Sequence, residues 1–277
     1  MVNLSVKQRH LEQILSSSGR TLVAYSGGVD SAYLAYAARQ VMGSGMLAVI
    51  ADSPSLARVQ LQHAIAFAQE QQIPHQIIHT LEMDRPEYVR NDGLRCFHCK
   101  DELFNLMEQF AREHGFASVA YGVNLDDQGD FRPGQKAAIR HNVAAPLLQA
   151  GLSKAEVREL AQQAGLRVWN KPASACLSSR IAYGRPVTRE ALLAVERGED
   201  SLRSLGFRQC RVRHHGEIVR IEIDPEELPM ALTLEMFAEF TRIFKALGFL
   251  YVTVDAEGFR SGSMNAALDP DGLVKLS

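Results

Sequence analysis

A surplus of one charge sign is the first thing this chain lacks. Lys and Arg number 30 against 32 Asp and Glu, a formal net charge of -2. Nothing in that balance draws the whole chain to nucleic acid. No apolar run approaches the length needed to cross a bilayer, which argues against a membrane protein. Residues Met1 to Val6 carry no basic patch leading into an apolar core, so no export signal is expected. Cysteine is scarce, four in 277 residues, too few for a disulfide scaffold. The expected compartment is therefore the reducing cytoplasm, with thiols or metal ligands rather than bridges. There is no internal repeat and no low-complexity tract. What remains, 46% hydrophobic and 22% charged, is the make-up of an ordinary globular protein. The length suits about two domains.

What is present is concentrated in Ser26-Gly27-Gly28-Val29-Asp30-Ser31. The stretch follows the apolar run Leu22 to Tyr25 and precedes Ala32 to Ala38, which reads as a helix. A glycine-rich turn between strand and helix aims backbone N–H groups at an anion, and the helix dipole favours negative charge there. Ser26 and Ser31 add hydroxyl donors, and Asp30 is a candidate for a Mg²⁺ that offsets phosphate charge. A capped tight turn is the plainer alternative. The stretch resembles the pyrophosphate loop of the ATP pyrophosphatase (PP-loop) families. That resemblance implies ATP cleavage between the α- and β-phosphates, adenylation of a substrate oxygen and release of pyrophosphate. A Walker loop is excluded because its G-x-x-x-x-G-K-[ST] spacing and lysine are absent.

The periodicity predicts helices over 7–17, up to about Val41, 56–71 and 97–113. It predicts strands over 21–25, Met46 to Ala51, His75 to His79 and Ser118 to Tyr121. This alternation implies an α/β domain with a parallel sheet covered on both faces, Rossmann-like and of the PP-loop, adenine nucleotide α-hydrolase kind. Ligands bind such sheets outside the carboxyl ends of the strands. Ser26, Gly27, Gly28, Asp30, Ser31, Asp52, Ser53 and Gly122 all fall there and are the expected ATP-binding residues. Asp52 and Ser53 would look the same as plain helix-capping loop residues. Residues 122–136 read as a long polar loop. Ser153-Lys154-Ala155-Glu156 is a capping box, with Lys154 and Arg158 as weaker candidates for a further role. Near Asn170-Lys171-Pro172-Ala173-Ser174 the pattern changes, which divides the chain into a domain of 1–169 and one of 170–277. In the second, helices are expected over 188–205 and 233–247. Strands are expected over Arg208 to Arg213, Ile218 to Ile223 and Leu250 to Val254, a smaller α+β domain.

Cys96 and Cys99 form a C-x-x-C, and Cys176 lies in Ala175 to Gly184. Cys210 reads as a buried apolar residue. The pair alone fits redox chemistry, zinc binding or two unrelated thiols. Three cysteines also suit three corners of a [4Fe–4S] cluster with one iron left open. A wider set of motifs then resembles the LarE family of PP-loop sulfur transferases. They are the pyrophosphate loop, Asp127-Gln128-Gly129-Asp130-Phe131-Arg132-Pro133-Gly134-Gln135-Lys136-Ala137, Cys176 to Gly184, Arg211 to His215, Val219 to Glu222 and Gly258-Phe259-Arg260-Ser261-Gly262-Ser263-Met264-Asn265.

The resemblance implies adenylation of a carboxylate of pyridinium-3,5-biscarboxylic acid mononucleotide and its conversion to a thiocarboxylate, on the way to the nickel-pincer nucleotide cofactor. It implies ATP and Mg²⁺ and a homohexamer, and it leaves open whether a nickel-insertion protein docks as a partner. It makes Cys176 catalytic. One type of the family sacrifices a cysteine sulfur, lacks the C-x-x-C and carries its cysteine where this chain has Ala175. Cys96, Cys99 and Cys176 resemble the other type, whose [4Fe–4S] cluster delivers a sulfide. By the same resemblance Ser179, Arg180, Glu199, Arg211 and Arg213 bind substrate. Arg211 and Arg213 share a strand face, and guanidinium groups bind phosphate or carboxylate bidentately. A solvated basic strand is the alternative, and Glu222 is a candidate for a subunit contact. Three rivals stand beside this reading: a tRNA thiolase, an NAD-synthetase-like enzyme, and a nucleotide-sensing module with structural zinc.

Overall fold

The computed structural model describes residues 3–128, 133–172 and 175–268. Gly129 to Arg132 of the Asp127–Ala137 motif, and Ala173 and Ser174 of the link, lie outside the described residues. The chain divides into two compact units: Met1–Glu82 with Cys96–Ser174, and Met83–Arg95 with Ala175–Ser277. A single boundary near 170 does not capture the return of residues 83–95 to the second unit.

The first unit is built on four parallel strands: β1 Thr21–Ala24, β2 Met46–Asp52, β3 His75–His79 and β4 Ser118–Tyr121. Their order is β3-β2-β1-β4. The helices of eight residues or more are α1 Leu4–Ser17, α2 Val29–Met42, α3 Arg58–Glu70, α4 Arg95–His114, α5 Pro133–Arg140 and α6 Lys154–Gln163. Arg95, the first residue of α4, is grouped with the second unit.

β1 is buried at all four positions, and alternate residues serve opposite faces. Val23 enters the cluster with Leu11, Leu15, Ala32, Ala35, Ala38, Val157 and Leu160. Leu22 and Ala24 enter the one with Phe104, Met107, Ala111 and Val119. The alanines of α2 are strong helix formers, and they are small enough to bring the helix close to the sheet. This is the parallel sheet, covered on both faces, that the alternation of elements predicts. Residues 122–136 differ from the expected loop: Pro133 opens α5. Proline suits the first helical position because its missing N–H has no intrahelical partner there anyway.

The second unit holds β5 Cys210–His215, β6 Ile218–Ile223 and β7 Tyr251–Val254 in the order β5-β6-β7. β5 and β6 are antiparallel, and β6 and β7 parallel. Helices α7 Arg189–Ser204 and α8 Leu234–Ala246 supply the apolar cover. Phe207, Phe240, Phe244, Val212, Val219 and Ile221 are among its most buried residues. β5 begins at Cys210 rather than Arg208. Arg208 instead gives its backbone N–H and its Nε to the Glu227 carboxylate.

Asn91 fastens residues 83–95 into this unit. It is fully buried and sits in the left-handed region at φ 59°, which asparagine tolerates better than most residues. Its side-chain amide donates to the Ala182 and Arg185 carbonyls at 2.9 and 2.8 Å, and its carbonyl accepts from Gly184 N–H at 3.1 Å. Among the described residues, no helix is long and apolar enough to cross a membrane.

Candidate functional site

The strand order reverses beside β1, because β2 and β3 extend to one side of it and β4 lies on the other. A crevice outside the carboxyl ends of the strands at such a point is the usual ligand site of an open parallel sheet. The loop Ser26–Ser31 follows β1, and Gly122 follows β4. Gly27 adopts φ 73°, and a Cβ there would stand 2.9 Å from the Ala64 Cβ. At Gly122 a Cβ would lie 2.7 Å from the Ser31 nitrogen and 2.8 Å from its Cα. The two loops therefore touch backbone to backbone, and any side chain at 122 would push them apart. Ser31 Oγ donates to the Gly28 carbonyl at 3.1 Å, accepts from Ser26 N–H at 3.2 Å and lies 3.1 Å from Ser26 Oγ. Gly28 is the N-cap of α2, and no side chain caps the helix. The first N–H groups of the helix are thus left for an anion, as the dipole and the orphan donors favour.

Two lysines reach this loop. Lys154 Nζ pairs with Asp30 Oδ2, and Asn124 Nδ2 donates to Asp30 Oδ1 at 3.2 Å. Both Asp30 oxygens are engaged, so Mg²⁺ on Asp30 does not fit this arrangement without displacing Lys154. Lys171 Nζ donates to the Gly27 carbonyl at 2.9 Å. Burial lowers the pKa of the Lys171 ammonium, and among the described residues no carboxylate pairs with it. Arg158 holds the lysine's backbone in place, with NH1 on the Trp169 carbonyl at 2.7 Å and NH2 on the Lys171 carbonyl at 2.9 Å. Lys171 escapes a reading of the sequence because Asn-Lys-Pro reads as a turn. Asp52 and Ser53 stand at the end of β2, tied to their own surroundings. Asp52 takes Arg58 NH1 at 2.6 Å, and Ser53 Oγ donates to the buried Glu82.

The cysteines fall in both units. Cys96 and Cys99 lie three residues apart at the start of α4 in the first. A three-residue spacing puts them on one helix face. None of the four cysteines is in a disulfide. Among the described residues, no three His, Cys, Asp or Glu side chains are grouped so as to hold a metal ion.

Cys176 lies in the second unit at the start of the short turn Leu177–Arg180, with its sulfur 3.0 Å from Ser178 Oγ. Arg180 clamps this turn. Its NH1 donates to the Ala175 and Cys176 carbonyls at 2.6 and 2.9 Å and to Ser179 Oγ at 3.0 Å. Its Nε donates to Glu199 Oε1 at 2.9 Å. Glu199 also takes Arg203 NH2 at 3.1 Å and Val212 N–H at 3.4 Å. The turn, α7 and β5 are thereby joined through one buried carboxylate. In this arrangement Arg180 and Glu199 hold the cysteine turn, whereas the family resemblance assigns them to substrate. Ser179 Oγ donates to the Cys176 carbonyl at 2.7 Å.

Close packing around the Cys176 sulfur opposes its ionisation. The Arg95 guanidinium, the Ser178 hydroxyl and Arg180 outweigh that effect and lower its pKa. Arg95 itself is anchored by NH1 on the Ser178 carbonyl at 2.9 Å. A thiol whose ionised form is favoured by neighbouring guanidinium groups is the better nucleophile. Cys210 is the opposite case, buried and pushed up to about 12. Iodoacetamide should therefore label Cys176 at lower pH than a free cysteine, whose value is about 8.5, and leave Cys210 untouched at neutral pH. Peptide mass spectrometry reads both sites. Arg95→Leu should shift the Cys176 profile to higher pH, since removing the cation disfavours the thiolate.

Arg211 and Arg213 project from one face of β5. Arg213 is buried and donates through NH2 to Glu222 Oε2 at 2.6 Å, and it reaches the Ser179 carbonyl through NH1 at 3.4 Å. Arg211 has no carboxylate partner among the described residues. Its guanidinium carbon lies 5.0 Å from the Phe259 ring centroid. Burial and the neighbouring Arg180 and Arg213 charges lower the Arg211 pKa, against the attraction of Glu199. A half-buried cation among like charges is a place for an anion.

No family model matches the chain. Among curated proteins it is 42% identical over 265 residues to the uncharacterized protein slr1717 of Synechocystis, covering 96% of this chain and 99% of that one. It is 35% identical over 270 residues to the pyridinium-3,5-bisthiocarboxylic acid mononucleotide synthase of Lactiplantibacillus plantarum, covering 97% of each. It is 26% identical over 242 residues to the uncharacterized protein MJ0830 of Methanocaldococcus jannaschii, covering 87% of this chain and 91% of that one.

Proposed function

The chain belongs to the LarE family of pyridinium-3,5-bisthiocarboxylic acid mononucleotide synthases, and from that premise we propose that it is an ATP-dependent sulfur transferase acting on pyridinium-3,5-biscarboxylic acid mononucleotide. The end-to-end likeness to the Lactiplantibacillus synthase carries this reading. A phosphate-suited loop in one unit and an activated thiol beside unsatisfied positive charge in the other support it.

In the first half-reaction a substrate carboxylate oxygen attacks the α-phosphorus of ATP, and pyrophosphate leaves. The N–H groups at the start of α2, with Lys171 beside Gly27, take up the charge on the departing phosphates. In the second, a sulfur nucleophile attacks the acyl carbon and AMP leaves. With Cys176 as that nucleophile, the product is a thioester of Cys176. Breaking its Cβ–S bond with loss of the α-proton releases the thiocarboxylate and leaves dehydroalanine.

Cys96, Cys99 and Cys176 are the donor set we propose for a [4Fe–4S] cluster, which would supply sulfide in place of the Cys176 sulfur. Such a cluster would carry the transferred sulfur on iron, whereas the Cys176 thiol would supply it from the protein itself. Arg211 and Arg213 are assigned to the substrate's anionic groups, and Asp52 and Ser53 to the adenosine.

The test is anaerobic incubation with ATP and the biscarboxylate mononucleotide, reading AMP, pyrophosphate and thiocarboxylate by mass spectrometry. Absence of ATP-dependent thiolation refutes the assignment. Iron and acid-labile sulfide on the same preparation decide the sulfur source. About four irons per chain, lost in Cys96→Ala, marks a cluster. A metal-free protein that turns over once and loses the mass of H₂S at Cys176 marks sacrifice of the cysteine. In equilibrium titrations Lys171→Ala should raise the Kd for ATP about tenfold or more, because it deletes a charge-assisted contact. Lys171→Arg should lose less.

A further inference from the structure

The segment Gly258 to Asn265 is the motif that the proposed chemistry leaves without a task. It folds across the charged face of the second unit's sheet. Phe259 N–H donates to the Ile223 carbonyl at 2.8 Å, which fixes the segment to the end of β6. The Phe259 ring then lies under the Arg211 guanidinium. Four residues on, Ser263 Oγ donates to Glu222 Oε1 at 2.7 Å and accepts from Arg213 NH2 at 3.0 Å. Met264 is buried, and its sulfur is 3.5 Å from Arg220 NH2.

The sheet register explains why one segment can serve both arginines. Arg211 pairs with Glu222 and Arg213 with Arg220 across the β5–β6 ladder, so all four side chains share a face. Left alone, that face would set three guanidinium groups against one carboxylate. Glu222 is fully buried and bridges Arg213 and Arg220, at 2.6 and 3.1 Å. Asp255 takes Arg220 and Arg260 in turn, at 3.5 and 3.3 Å. The exception is Arg211, which has a ring in place of a carboxylate. Arg211 NH1 donates to the Cys210 carbonyl at 2.7 Å. The π face holds the guanidinium flat, leaves its remaining N–H groups free to donate, and adds no negative charge to compete with an incoming anion. A carboxylate in the same place would take up those donors.

We propose that Phe259 and Ser263 are positioning residues for anion recognition. Phe259 orients Arg211, and Ser263, through Glu222, sets the rotamer of Arg213, so that the pair meets a phosphate monoester or carboxylate with preformed geometry. This rests on the assignment of the arginine pair to the substrate. It explains why an aromatic and a small hydroxyl residue stand at these two places rather than acids.

The test uses the full-length protein and calorimetric titration with the biscarboxylate mononucleotide. ATP titration and thermal melting serve as controls. Phe259→Leu keeps apolar bulk and loses the π face, and it should weaken mononucleotide binding about two- to fivefold. Phe259→Tyr should bind as wild type. Ser263→Ala should weaken binding by a similar factor, and Ser263→Thr should restore it. ATP affinity should stay unchanged in all four, and the melting temperature in the two Phe259 variants; Ser263→Ala also takes a hydrogen bond from the buried Glu222, and Ser263→Thr returns it. Wild-type binding by Phe259→Leu and Ser263→Ala, or equal losses in Phe259→Leu and Phe259→Tyr, overturns the proposal. Arg211→Ala separates the two levels of the argument. If it binds the mononucleotide normally, the assignment of the pair to substrate fails. If it loses binding while Phe259→Leu does not, only the positioning role fails.

Discussion

Cys176→Ser should abolish thiolation, a loss on the order of a thousandfold or more, while ATP still binds. The expectation follows from three properties of the site. The thiol stands at the start of a short turn, its neighbours Arg95 and Arg180 favour the thiolate, and the turn is held through backbone carbonyls that serine leaves in place. A serine hydroxyl cannot furnish sulfur and ionises far less readily. The phosphate-suited loop belongs to the other compact unit, so isothermal titration with ATP should give wild-type affinity. Thiocarboxylate formation above a tenth of the wild-type rate in Cys176→Ser would remove this thiol from the chemistry.

Glu199→Ala should cost about 3–5 kcal/mol of stability, because it strands a buried cation. Glu199 is 1% exposed and Arg180 3%, so neither has water to replace its partner. The substitution also removes the acceptor of Arg203 and of Val212 N–H. For a chain of this size the melting temperature should fall by roughly 6–20 °C. Glu199→Gln keeps an oxygen acceptor and the shape, and it should fall less. If Glu199 served substrate alone, Glu199→Ala would melt with wild type and differ only in KM, a result that would refute the clamp. The Arg213–Glu222 pair follows the same logic, since truncating either partner leaves a buried charge.

The sequence shows some of this plainly and hides the rest. The β1–loop–α2 unit is legible because a buried strand, two glycines and an alanine-rich helix are contiguous. The capping box at Ser153 is equally local, and both of its bonds are present, from Glu156 N–H to Ser153 Oγ and from Ser153 N–H to Glu156 Oε2. The α5 helix was hidden by the polar, glycine-containing stretch around Pro133. Contacts between distant residues were hidden for a different reason. Lys171 meets Gly27 across 144 positions, and nothing near Asn170-Lys171-Pro172 announces a partner. Arg180 looks like a substrate ligand from its motif. That five of its bonds go to Ala175, Cys176, Ser179 and Glu199 depends on α7 packing beside the turn. Arg213 and Arg211 are equivalent by strand period. They become different only when Glu222 and Phe259 arrive from other parts of the chain.

Lys154 and Arg158 stand one helical turn apart on α6, one holding Asp30 and the other the backbone of Lys171. The helix thus reports on the nucleotide loop through two levers fixed to a single rod. An anion that draws Lys154 away from Asp30 loads the start of α6, and an anion that engages Lys171 loads the same rod one turn later. Amide hydrogen exchange across residues 154–163 should then slow as a unit when the loop is occupied, although none of those amides touches the ligand.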